Sequence, residues 1–132
     1  MEMRTQDEIV ARYEERKESD LFGFEAYLYL YVLDLEHARP YLDEGAEETF
    51  VEPVYTREAI LETMKDYMSF ANEKADNERG LSARRSIMHF IAWIWLIGDD
   101  AFLKKVEHEA HENFHNYGKP ILAMIEAEYG WS

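Results

Sequence analysis

A chain of 132 residues, 47% hydrophobic and 14% aromatic, is long enough for one domain with a real core and too apolar to be disordered. Its 28 acidic against 14 basic residues leave a net charge of −14, which repels phosphates and argues against direct nucleic-acid binding. The absence of cysteine excludes a disulfide framework and thiolate chemistry, and the longest apolar run, the eight residues Phe90 to Ile97, falls short of the roughly 18 that a membrane span needs. We therefore expect a soluble, cytoplasmic protein with no signal segment at its start.

Thr5-Gln6-Asp7-Glu8 reads as a capping box, so a first helix runs from there to about Lys17 with Ile9, Val10 and Tyr13 as its stripe. Ser19, Asp20 and Gly23 mark a break. The stretch LFGFEAYLYLYVLDL, residues 21–35, admits two periods. Period two puts Tyr27, Tyr29 and Tyr31 on one strand face, whereas period 3.6 joins Leu21, Phe24, Leu28, Tyr31, Val32 and Leu35 into a helical stripe. The helix is favoured because no partner strand is evident, and the tyrosines are expected to pack in and near the core. Asp34 then caps a short helix, Leu35 to Arg39, that Pro40 disturbs.

Residues 41–55, YLDEGAEETFVEPVY, read as an acidic irregular connector. Between Asp34 and Asp66 there are ten acids and three bases, a net of −7 and half the charge of the chain. Asp43, Glu44, Glu47, Glu48 and Glu52 are the candidate partner-binding residues, beside the plainer reading of a solvated linker that packs Phe50 and Val54 on the core. Thr56 caps a long helix to about Glu78, with Ile60, Met64, Tyr67, Met68, Ala71 and Ala75 as its stripe. Ser82 caps the next, to Ile97, apolar nearly all round and hence central. Asp99 caps a helix from Asp100 to about Tyr117, closed by Gly118. Pro120 opens the last, lined by Ile121, Leu122, Ile125 and Tyr129. The expectation is an all-α fold, a single compact domain of about five to six helices over residues 1–132, with one acidic connector.

One motif carries chemistry. HENFH, residues 111–115, matches the H-E-x-x-H pattern of zinc hydrolases, in which two histidines bind the metal and the glutamate acts as base. On a helical wheel His108, His111 and His115 share the polar face, opposite Phe102, Val106 and Ala110, with Glu112 beside them. They are the candidate metal ligands for zinc or another divalent cation, with Glu112 the alternative catalytic base. The longer zinc-protease signature places a third ligand where this chain has Ile121, which cannot bind a metal, and no neighbouring strand is expected. A solvated helix face accounts for the same pattern in a chain with 20 glutamates. His37 and His89 stand apart, the latter as a core residue. Arg84 and Arg85, the only two adjacent arginines, are expected to pair with nearby acids.

The stretch REAILETMKDYMSFANEKADNERGLSARRSIMHFIAWIWLIGDD and the ending YGKPILAMIEAEYGW resemble small acidic proteins of bacteriophage and prophage genomes. That resemblance carries no activity or catalytic residues. It implies a phage-type accessory protein that acts by binding a host or phage protein. The leading reading is a non-catalytic interaction protein whose acidic surface meets a partner with a basic surface, with no membrane or direct nucleic-acid contact. One version is an inhibitor that mimics nucleic acid towards a host defence protein. The rivals are the zinc-dependent hydrolase and a structural assembly subunit.

Overall fold

The computed structural model describes residues 3–77, 81–113 and 118–131. Among the described residues there are seven α-helices and no strand, so the chain is all-α. The count is slightly above the five or six expected, and it includes the short helix that Asp34 was expected to cap.

Helix α1 spans Gln6–Arg16. Its capping box is formed as read, with Thr5 Oγ1 accepting from the Glu8 amide at 3.2 Å and Glu8 Oε1 accepting from the Thr5 amide at 3.0 Å. Helix α2, Gly23–Tyr29, tightens into a 3-10 turn at Leu30–Val32. Helix α3 is the four-residue Leu35–Ala38, capped by the Asp34 carboxylate on the His37 amide. It stops where Pro40 forces a 3-10 turn, Arg39–Tyr41. Helix α4, Arg57–Asn77, begins under the Thr56 hydroxyl, which accepts from the Ala59 amide at 3.1 Å. Helices α5, α6 and α7 span Leu81–Leu96, Asp100–Glu112 and Lys119–Tyr129.

Helix α5 is the hub. It packs on α2, α4, α6 and α7, which is why its Phe90, Ile91, Ala92, Ile94 and Leu96 are buried whichever way they point. Burying each larger one of these side chains contributes about 2 kcal/mol. Ile60, Met64, Met68, Ala71 and Ala75 of α4 meet α5 and α7 as the stripe predicts, and Phe102, Leu103, Val106 and Ala110 of α6 close the core from the other side.

Three local expectations are corrected. Most of residues 21–35 is helical, in α2 and the 3-10 turn at Leu30–Val32, but the buried face is Phe22, Glu25, Ala26, Tyr29 and Leu33. Of the predicted stripe, Phe24 is 39% and Tyr31 75% exposed. The stripe was misplaced because a glutamate sits in the middle of the true inner face. Ser82 lies inside α5, which already begins at Leu81. Asp99 does precede α6 but makes no side-chain cap. Its carboxylate accepts instead from the Tyr129 hydroxyl at 3.1 Å. Finally, α6 ends at Glu112 with Asn113 as its C-cap, and the expected end at Tyr117 lies outside the described residues.

The acidic connector is less irregular than its composition suggests. Gly45 takes a left-handed φ of 84°, and a 3-10 turn follows at Ala46–Thr49. Phe50 packs on the core, whereas Val51 and Val54 are exposed at 83% and 75%.

Candidate functional site

Helices α2 and α4 lie on the same helix, α5, and between them runs an open groove of about 590 Å³. Its floor is His89 and Trp93, one turn apart on α5. One wall is Leu28, Tyr31 and Val32 from α2 and its 3-10 turn. The other is Thr63, Asp66, Tyr67 and Phe70 from α4. These α4 residues recur at three- and four-residue steps, beside the stripe that faces the core, so one helix supplies both core and wall. The groove exists because α2 is only seven residues long against 21 in α4 and leaves the α4–α5 seam uncovered beyond it.

The lining is aromatic and interlocked. The Tyr67 ring lies 5.3 Å from Trp93 at 77°, 5.0 Å from His89 and 5.3 Å from Phe70. On the far side His89 stacks parallel to Phe24 at 5.8 Å. Burial pushes the His89 imidazole below its ordinary pKa, so it is neutral at physiological pH. A second, smaller depression of about 240 Å³ continues past Phe70 and His89 to Lys74, Arg85 and Ser86. Lys74 Nζ sits 5.5 Å from the Phe70 ring and the Arg85 guanidinium 5.2 Å from the Phe24 ring. The groove thus has an acidic end at Asp66 and a basic end at Arg85. Arg85 spreads over an aromatic face where an ion pair was expected.

Behind this groove, on the opposite face of α2, is a buried ionic junction. Glu25 has no solvent exposure. Arg16 Nη1 approaches Glu25 Oε1 to 3.2 Å and Arg12 Nη2 approaches Oε2 to 3.7 Å, while both arginines also reach Glu107 of α6, at 3.3 and 3.5 Å. The Tyr29 hydroxyl donates to Glu25 Oε2 at 2.7 Å. Burial raises the Glu25 pKa, against the pull of Arg12, the Tyr29 hydrogen bond and Arg16. The guanidinium planes of Arg12 and Arg16 lie over Trp95 and Phe22 at 5.0 and 4.6 Å. The cluster joins α1, α2 and α6, and none of its residues lines the groove or the smaller depression. Composition and motif do not single out Glu25, Arg12 and Arg16. The available signal was the i,i+4 spacing of the two arginines next to the α1 stripe.

The residues singled out in the sequence fall elsewhere. Asp43, Glu44, Glu47, Glu48 and Glu52 are all exposed. Glu47 pairs with Arg39 at 3.0 Å and Glu52 accepts from the Leu35 amide at 3.4 Å. His108, His111 and Glu112 are exposed on α6, with the His111 ring edge-on to Phe22 at 5.0 Å. His115 lies outside the described residues. Among the described residues no group of three His, Asp or Glu side chains is placed to hold a metal ion. His37 is not isolated as expected: Nδ1 meets Asp34 at 2.8 Å and Nε2 meets Asp7 at 2.9 Å, tying α3 to α1. Those two hydrogen bonds raise its pKa. No helix among the described residues is long and apolar enough to cross a membrane.

The chain matches no known family model, no curated protein and no solved structure.

Proposed function

We propose that this is a non-catalytic binding protein that engages a protein partner through the α2–α4–α5 groove. The observation that carries this is the exposed aromatic lining: Tyr31 at 75% and Phe70 at 46% exposure flank half-buried Tyr67 and Trp93. A folded chain pays in solvation for large rings held open to water, and concave aromatic surfaces of this kind are the usual anchor points of interfaces. The net charge of −14 favours encounter with a basic surface and slows it with like-charged ones. The exposed acids of the connector add to that field. A phage-type accessory role fits such a protein, since it requires contact and no chemistry.

The test is site-specific photo-crosslinking in the host cytosol. A benzophenone side chain placed at Phe70 is expected to capture a discrete protein, and the same group at Lys104, exposed on α6, is not. Tyr31→Ala in the Phe70 crosslinker background should abolish the adduct. Equal capture from both positions, or an adduct indifferent to Tyr31→Ala, refutes the groove as the contact.

A further inference from the structure

We infer that the acidic end of the groove receives the guanidinium of an arginine side chain presented by a basic protein partner. This rests on the groove being the contact surface and names the chemistry of its occupant.

Three independent features converge. First, Tyr31, Tyr67 and Trp93 line the same groove as Asp66, and aromatic rings attract cations to their faces. Second, Asp66 is exposed on the wall and makes no ion pair among the described residues. It lines the same wall as Tyr67, so a cation entering beside that ring also reaches the acidic end of the groove. Third, the cations already placed on rings beside the groove lie at its other end. Lys74 and Arg85 already lie over Phe70 and Phe24 at the other end, which leaves the Asp66 end open and directs an incoming positive charge there. The uncharged state of His89 keeps the floor free of a competing cation.

Arginine fits better than lysine or a neutral ring. A guanidinium is planar, stacks flat on an aromatic face and grips a carboxylate with two parallel N–H donors, whereas an ammonium meets both as a point charge, without the flat stacking or the paired donors. A neutral aromatic occupant would desolvate Asp66 without a partner. The aliphatic stem of arginine matches Leu28 and Val32 on the α2 wall. The same packing is used four times among the described residues, by Arg4 and Arg12 on Trp95, Arg16 on Phe22 and Arg85 on Phe24, with guanidinium-to-ring distances between 4.6 and 5.2 Å.

The experiment titrates full-length 15N-labelled protein with acetyl-arginine methylamide and, separately, with the acetyl-citrulline methylamide that has the same shape and no charge. The Trp93 indole N–H resonance reports the groove. We expect saturable millimolar binding of the arginine probe, at least about fivefold weaker binding of the citrulline probe, and a loss of about five- to tenfold in arginine affinity in Asp66→Asn. Both Asp66 and Tyr31 are exposed, so Asp66→Asn and Tyr31→Ala retain the wild-type spectrum elsewhere. Equal affinity for the two probes, unchanged affinity in Asp66→Asn, or shifts confined to the 43–52 connector overturn the inference. If the crosslink from Phe70 survives while the arginine probe fails, the groove remains the contact and its occupant is another chemistry. If both fail, the groove itself is refuted.

Discussion

Arg16 Nη1 on α1 stands 3.2 Å from Glu25 Oε1 on α2, and this contact turns a glutamate into a core residue. A lone carboxylate with no solvent exposure is too costly to fold around. Arg16, Arg12 and the Tyr29 hydroxyl together make it tolerable, with Glu107 balancing the second positive charge. The consequence for the groove is direct. With Glu25 and Tyr29 turned inward, Leu28, Tyr31 and Val32 on the other side of α2 face outward and become its wall.

Removing the buried carboxylate leaves two arginines sharing Glu107. Glu25→Ala is expected to destabilise the fold by on the order of 3 kcal/mol. Glu25→Gln keeps the volume and removes the charge, so it should recover only part of that loss. Urea unfolding of both variants measures this. A Glu25→Gln protein as stable as wild type would show that the ion pairing contributes nothing beyond packing.

The two structured histidines outside α6 should move stability in opposite directions with pH. His37 has a raised folded pKa, so its contribution is complete below the unfolded value of 6.5 and is lost as pH rises through the folded one. The stability gap between wild type and His37→Ala should therefore close as pH rises from about 5.5 to about 8.5. His89 has a lowered folded pKa. Its contribution is complete above 6.5 and is lost as pH falls through that value towards the folded one, because the folded state resists protonation. Imidazole NMR titration separates them, with His37 expected to titrate above 6.5 and His89 below it.

Zinc binding offers a clean check on the H-E-x-x-H match. On α6 His108, His111 and Glu112 are exposed, and the His111 ring packs edge-on against Phe22. Calorimetry on metal-stripped, untagged protein is expected to show no binding tighter than about 10 μM. A sub-micromolar one-to-one site that His111→Ala abolishes would restore the hydrolase reading, and Glu112→Gln would then be tested for lost hydrolysis.

At the junction of α6 and α7, Tyr129→Phe removes the hydroxyl that donates to Asp99 and leaves the ring against Phe102 at 5.6 Å. The expected cost is about 1 kcal/mol. Asp99→Ala should lose a similar amount, and the double variant should lose less than the sum. Additive losses in thermal unfolding would mean that the two side chains act independently.

Periodicity and capping residues are local properties, and they located the helices well. The Thr5–Glu8 box, the Asp34 and Thr56 caps, the α4 stripe and the all-round apolar α5 could each be read within a few neighbouring residues, and each is as expected. Where a cap position had a stronger distant partner, as with Asp99 and Tyr129, local reasoning failed.

The groove was legible only in pieces. Tyr31, Tyr67, Phe70 and Trp93 come from three helices, and aromatic residues at helical spacing read as core when taken one helix at a time. What the sequence determined by itself was the all-α class, the central helix and the uneven negative charge, since these follow from short-range pattern and composition. Which face of α2 turns inward was decided only in the tertiary structure. The energy of burying Glu25 depends on arginines more than eight residues away on another helix, and no period within α2 contains that information.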